Sequence, residues 1–220
     1  MCGRFTTTID REQIERYFKI ARVDGEYAPL YNAAPAQNIP VVLEDGARRL
    51  AFYRWGLVPS WAKDPAVGNR LINARAETLL EKPSFRRSFL QRRCLVPADG
   101  FFEWKKEGAN KTPYRIIMKD GSPFGMAGLW EVWSPPGQEP LYTCAIITTG
   151  ANSLLRGIHE RMPVILTPEN YDLWLDPAVQ SPVLLNRLLA PYPAELMDFY
   201  AVSPLVNSPL YNTPEAIKPV

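Results

Sequence analysis

CLVPADGFFEW at 94–104, PYRIIM at 113–118, FGMAGLWEVW at 124–133 and LYTCAIITT at 141–149 decide the fold class. Each run is rich in β-branched and aromatic residues and is bounded by polar or turn-forming ones, the pattern of a strand. Together they predict a central, mainly antiparallel sheet.

Working outward, Asp10 is a helix cap with Gln13 three residues later, and Ile14, Tyr17 and Phe18 fall on one helical stripe. YNAAP at 31–35 and RWGLVPSW at 54–61 flank a strand at about 39–44, and Pro59 opposes a long helix, so this region reads as a loop-rich wall. NARAET at 73–78 leads into helical material that Pro83 interrupts, and SFRRSFLQ at 84–91 forms a separate helix with Phe85 and Phe89 on one side. Beyond the four strands come a short helix at 151–156 and a strand in the latter part of GIHERMPVIL at 157–166. Thr167 and Pro168 then supply a cap and a favourable first position for PENYDLWL, and 183–189 forms another short helix. The C-terminal PLVNSPLYNTPEAIKPV is rich in turns. With no internal repeat and no low-complexity tract, the expectation is α+β: a single compact domain over 1–220, with short helices and long functional loops rather than regular βαβ units.

A chain of 220 residues with 46% hydrophobic composition buries a substantial core. No signal-peptide pattern and no bilayer-length apolar run stands in it, so a soluble, cytoplasmic protein without a membrane partner is expected. Twenty-five Lys and Arg against 23 Asp and Glu give +2, so affinity for nucleic acid must come from a local patch. Cys2, Cys94 and Cys144 lack metal-binding spacing, and His159 is the lone histidine. Neither structural zinc nor a disulfide scaffold fits, and no cofactor is expected.

MCGRF at 1–5 carries the chemistry. Removal of Met1 places an α-amine and a thiol on the same residue, Cys2. Their ordinary pKa values, about 7.7–8.0 and about 8.5, leave useful fractions of both nucleophiles near neutrality. An amine of this kind forms an imine with an aldehyde, and the neighbouring thiolate closes a five-membered thiazolidine, aided by being intramolecular. Taken alone, Cys2 reads as an apolar residue near a terminus.

MCGRF at 1–5, YNAAP at 31–35, RWGLVPSW at 54–61, NARAET at 73–78, RCLVPADGFFEW at 93–104, IHERMPVIL at 158–166 and VSPLVNSP at 202–209 occur in that order. This set resembles the SOS-response-associated peptidase family, over almost the whole chain. The resemblance implies an SRAP-like fold and an abasic-site sensor that crosslinks to single-stranded DNA through a thiazolidine at Cys2 after Met1 is removed, with lyase and reversal activities as companions. It implies that Asn73 places the terminal group or the opened sugar, that Glu103 and His159 move protons, that Arg4, Asn32, Arg75 and Arg161 line the DNA-facing surface, and that Trp61 stacks or wedges beside the lesion.

Each assignment has a competing account. Phe101, Phe102 and Trp104 confine and desolvate Glu103, or strand alternation turns it to solvent. His159 titrates near neutrality, or only holds a turn. The arginines meet phosphate, or pair with Glu77 or other carboxylates. Trp55 is a second exposed platform, or core. The partner is single-stranded DNA with an abasic site, junctions with duplex being left open, and the protein a monomer. A cysteine-dependent peptidase and a noncovalent single-stranded-DNA-binding module are the alternative functions.

Overall fold

The strand-forming runs assemble into two sheets. The computed structural model describes residues 2–108 and 110–220. In chain order the first half contains β1 (Phe5–Thr7), α1 (Arg11–Phe18), β2 (Arg22–Val23), β3 (Leu30–Ala33), β4 (Asn38–Glu44), β5 (Arg48–Trp55), β6 (Asn73–Arg75), α2 (Pro83–Gln91), β7 (Arg93–Ala98) and β8 (Gly100–Glu107). The second half contains β9 (Asn110–Met118), β10 (Phe124–Trp133), β11 (Leu141–Gly150), β12 (Arg161–Pro163), β13 (Ile165–Leu166), α3 (Tyr171–Leu175), α4 (Pro182–Arg187) and β14 (Met197–Ala201).

The larger sheet runs β12-β11-β10-β7-β4-β5-β2, with β13 on β10 and β6 on β11. It curls into a ring, because β11 also pairs in parallel with β5 through Thr143↔Arg54 and Cys144↔Trp55. The smaller sheet runs β14-β9-β8-β1-β3. Successive side chains of a strand face opposite ways, and the ring uses both faces. Val41, Val96 and Ile146 point into one core with Phe5, Trp55 and Phe101. Val42, Leu95 and Ile147 point into the other, with Ile14, Phe18, Phe85, Phe89, Trp174 and Leu185 of the four helices.

The helix after Asp10 forms as its sequence predicts. Gln13 N donates to Asp10 Oδ1 at 2.8 Å while Asp10 N donates to Gln13 Oε1 at 2.9 Å, satisfying donors that a helix start leaves free. Phe18 buries its ring against Tyr171, centroids 5.7 Å apart. On the far side Arg93 is buried and donates to the carbonyls of Phe89, Leu90, Trp174, Asp176 and Val179, tying α2 to α3.

Three local expectations are revised. The run 94–104 is divided at Asp99, so that β7 belongs to the ring and β8 to the smaller sheet. Asp99 accepts from Thr6 Oγ1 at 2.6 Å, from Thr8 N at 3.0 Å and from the Thr8 hydroxyl, and pairs with Arg115. A β-carbon at Gly100 would lie 2.7 Å from Arg115 Nε, so glycine leaves the guanidinium its place at the crossover. Residues 73–75 form a strand on β11 rather than helical material. Pro83 is the first residue of α2 rather than a break, its missing N–H costing nothing there. Beyond expectation, Arg48–Trp55 and Met197–Ala201 are strands. No helix among the described residues is long and apolar enough to cross a membrane.

Candidate active site

β1 threads the N-terminus between the two sheets. It pairs with β8 at Phe5↔Phe101 and Thr6↔Gly100, and Phe102 N donates to Arg4 O at 3.0 Å. The same antiparallel register, continued toward the terminus, sets Gly3 opposite Glu103, and the neighbouring Cys2 thiol feels the Glu103 charge. Cys2 is fully buried with a free thiol, its Sγ 3.9 Å from Arg4 O. From the other sheet, Asn73 on β6 donates its Nδ2 to Cys2 O at 2.9 Å. Its Oδ1 is buried and has no hydrogen-bond partner among the described residues. Met1, whose removal the resemblance implies, lies outside the described residues.

Glu103 is 4% exposed, so strand alternation does not carry it to solvent; Phe101 and Phe102 beside it are fully buried. Burial pushes its carboxyl above the ordinary range, against the pull of the His159 charge. The Cys2 thiol is likewise pushed well up, by burial first and by the charge of Glu103 second. The expectation of an ordinary thiol is thereby corrected: in the chain that carries Met1 the thiol stays protonated at neutrality.

His159 stands just before β12, half-buried, after a turn of 3-10 helix at Leu155–Gly157. Its Nδ1 accepts from Arg161 N at 3.0 Å and lies 3.3 Å from Arg161 O. The neutral ring therefore keeps its proton on Nε2, and a protonated ring finds an acceptor in the same carbonyl. Hydrogen bonding and electrostatic coupling thus bring Cys2, Asn73, Glu103 and His159 into one site. β11 is its spine, pairing with β6 at Ile146↔Asn73 and with β12 at Gly150↔Arg161.

The residues expected at a DNA surface separate into two kinds. Arg75 is exposed and lines an open depression of about 380 Å³ with Leu71, Asn73, Thr78, Lys82, Ser84 and Phe85. Trp61 is 64% exposed, whereas Trp55 is core and donates Nε1 to Ile72 O at 2.8 Å. The loop that presents Trp61 is drawn tight at its base: a β-carbon on Gly56, whose φ is +131°, would lie 2.7 Å from Gly68 O. Trp133 Nε1 holds Ala62 O at 2.7 Å on the far side.

Arg4, Asn32 and Arg161 are engaged within the protein. Arg4 Nη1 donates to Asn32 Oδ1 at 2.9 Å and to Val206 O at 2.7 Å, and Nη2 to Asn207 O at 3.1 Å. Asn32 is 1% exposed and its Nδ2 donates to the carbonyls of Val206, Ser208 and Tyr211. Arg161 is clasped by Glu77 through Nη1–Oε1 at 2.6 Å and Nη2–Oε2 at 2.9 Å. The sequence reading missed that the C-terminal segment walls the site. Asn207, whose Oδ1 accepts from Trp104 Nε1 at 2.7 Å, stands within the quoted VSPLVNSP run, which was the available signal. Among the described residues no three His, Cys, Asp or Glu side chains gather as a metal would require.

The family model described as SOS response associated peptidase (SRAP) matches residues 1–209. The chain belongs to the SRAP family. It is 51% identical over 222 residues to the abasic site processing protein YoqW of Bacillus subtilis, covering 99% of each chain. It is 37% identical to the abasic site processing protein HMCES of Gallus gallus, over 90% of this chain and 68% of that one. A crystal structure of a protein from Bacteroides thetaiotaomicron superimposes with a TM-score of 0.88 at 32% identity, covering 100% of both chains. The α+β fold of this SRAP member is thus that of its solved relatives.

Proposed function

We propose that this SRAP protein, after hydrolytic removal of Met1, processes abasic sites in single-stranded DNA by linking itself covalently to them through Cys2. The observation that carries the reading is the Asn73 Nδ2 hydrogen bond to Cys2 O, and the electrostatic coupling of Cys2 to the buried Glu103, and of Glu103 to His159, supports it. The names of relatives such as YoqW and HMCES support the same substrate class.

The ring-opened abasic sugar carries an aldehyde at C1′. The Cys2 amine adds to it, giving a carbinolamine, whose hydroxyl takes a proton from Glu103 and leaves as water. In the resulting imine C1′ is the electrophile. The nitrogen keeps its remaining proton, so this imine is the protonated form. The Cys2 sulfur bonds to C1′ while its proton passes to the Glu103 carboxylate or His159, and the C=N electron pair returns to the nitrogen as the thiazolidine closes. One water is released in all. A Glu103 pKa raised by burial suits this work, since the group gives a proton in one step and accepts one in the next. Until the ring closes, the imine is open to β-elimination, which would break the strand and account for lyase activity. Running the steps backward, with water added, restores the protein and the abasic site.

Arg75 and the exposed Trp61 suit binding without a base code, one by meeting phosphate and the other by stacking or wedging beside the lesion. Arg4 faces the same strand with the donors left by its internal bonds, and Asn32 acts by holding Arg4. Arg161 joins this surface, and the chain works as a monomer.

Denaturing electrophoresis after incubation with a single-stranded oligonucleotide bearing one abasic site tests the reading. A slow band that requires both the aldehyde and Cys2 is expected. Retention of the oligonucleotide under native conditions alone would instead indicate a noncovalent binder.

A further inference from the structure

Arg161 is the most heavily engaged cation of the expected DNA surface. Besides the two bonds to Glu77, its Nη2 donates to Thr148 O at 2.7 Å and lies 3.4 Å from Thr148 Oγ1. Its Nε is buried without a partner among the described residues, so that Nε and one hydrogen of Nη1 are the donors left over. Its side chain is 13% exposed, whereas that of Glu77 is 53% exposed. The carboxylate therefore lies over the guanidinium, on the solvent side. A DNA phosphate approaching Arg161 meets the negative charge of Glu77 first, and the Nη1–Nη2 edge that would bind phosphate in two-pronged fashion is already occupied.

Glu77 has room to leave. It belongs to the single 3-10 turn Ala76–Thr78 after β6 and borders an open depression of about 270 Å³ lined by Ala76, Glu77, Thr149, Asn186 and Leu189. The hydrogen bonds from Arg161 hold its carboxyl below the ordinary range, so it is charged at neutrality. The Arg161 bond to Thr148 O does not involve Glu77, so the guanidinium has an anchor other than its outer partner.

We infer that Glu77 is a displaceable counter-ion for Arg161, standing where a DNA phosphodiester binds and exchanging with it when the strand enters the site. This rests on the reading above that Arg161 belongs to the DNA surface. The exchange sets a threshold: solitary anions and weakly held strands do not open the pair, whereas a strand held at the same time by Arg75 and Trp61 does. Glu77 thus governs binding without touching the reacting atoms.

The experiment is equilibrium binding, by fluorescence anisotropy over a range of salt, to a single-stranded oligonucleotide carrying a tetrahydrofuran abasic analogue. The analogue has no aldehyde and cannot crosslink. Glu77→Gln should bind about 2- to 5-fold tighter than wild type, the worth of one exposed ion pair. Its salt dependence should steepen by up to about one ion, because no carboxylate is set free on binding. Glu77→Ala should move the same way, and in an Arg161→Gln background Glu77→Gln should change nothing. Weaker binding by both Glu77 variants would show that Glu77 holds Arg161 in place for DNA and overturn the exchange. So would equal tightening with and without Arg161, which marks a general charge effect. A wild type that fails to bind the oligonucleotide at all overturns the DNA reading and this inference together.

Discussion

Asn73 Nδ2 donates to Cys2 O at 2.9 Å across 71 positions of chain and across the seam between the two sheets. The bond makes the position of Cys2 a property of the folded domain. Asn73→Ala removes it. One hydrogen bond is worth about 0.5–1.5 kcal/mol, and a nucleophile displaced by an ångström loses up to about 100-fold in rate. Single-turnover adduct formation should therefore slow by between about 3-fold and 100-fold. An unchanged rate would make Asn73 a structural residue only.

Glu103→Gln keeps the shape of the buried side chain and removes its proton transfer. Adduct formation should slow by about 100-fold or more, the usual share of general acid–base catalysis. The same variant makes a stability prediction with a defined sign. Burial raises the folded-state pKa of Glu103, so the folded protein binds the proton more tightly than the unfolded chain. Wild-type stability should fall as pH rises from the ordinary glutamate range through the folded pKa, and this part of the pH dependence should vanish in Glu103→Gln. Thermal melting from pH 4 to pH 8 measures both. A wild-type dependence left intact by the substitution contradicts the assignment.

Trp61 and Trp55 should separate function from stability. Trp61 is 64% exposed and Trp55 fully buried. Trp61→Ala should leave stability to urea within about 0.5 kcal/mol of wild type and weaken binding of single-stranded DNA by about 1–3 kcal/mol, the worth of one stacked base. Trp55→Ala should cost about 3–5 kcal/mol of stability. Loss of stability in Trp61→Ala would place that ring in the fold rather than on the DNA.

Much of this architecture is legible in the sequence because its signals are local. Asp10 and Gln13 announce a helix start within one turn, and FGMAGLWEVW forms β10 over its full length. The division of 94–104 at Asp99 is not local, since it depends on Thr6 of β1, Thr8 just after it and Arg115 of β9. The same limit applies in the site. The resemblance of motifs names Cys2, Asn73, Glu103 and His159, and the structure brings them together. Whether Arg4 faces DNA or protein depends on Val206 and Asn207, some 200 positions away, and no spacing near MCGRF reveals it.

Asn32 gives the corresponding stability test. Its buried amide accepts from Arg4 and supplies three carbonyls of the C-terminal segment. Asn32→Ala removes the partner of Tyr211 O and one of the two partners each of Val206 O and Ser208 O, at about 1–3 kcal/mol for a buried group left unsatisfied. Urea unfolding should show a loss of at least that size, and amide hydrogen exchange at 203–212 should rise more than in β10 and β11. Uniform acceleration across the chain would show that the segment is not fastened at Asn32.

The central claim is the covalent bond at Cys2, and intact-protein mass spectrometry tests it most directly. The protein is incubated with single-stranded DNA bearing one abasic site, beside the free protein and a Cys2→Ala control, and the adduct is mapped by peptide fragmentation. The account predicts free protein lacking Met1, and an adduct weighing the sum of protein and DNA less one water, located at Cys2 and absent from the control. Protein lacking Met1 that forms no adduct across pH and time, or an adduct that persists in Cys2→Ala with the same mass and yield, would contradict it.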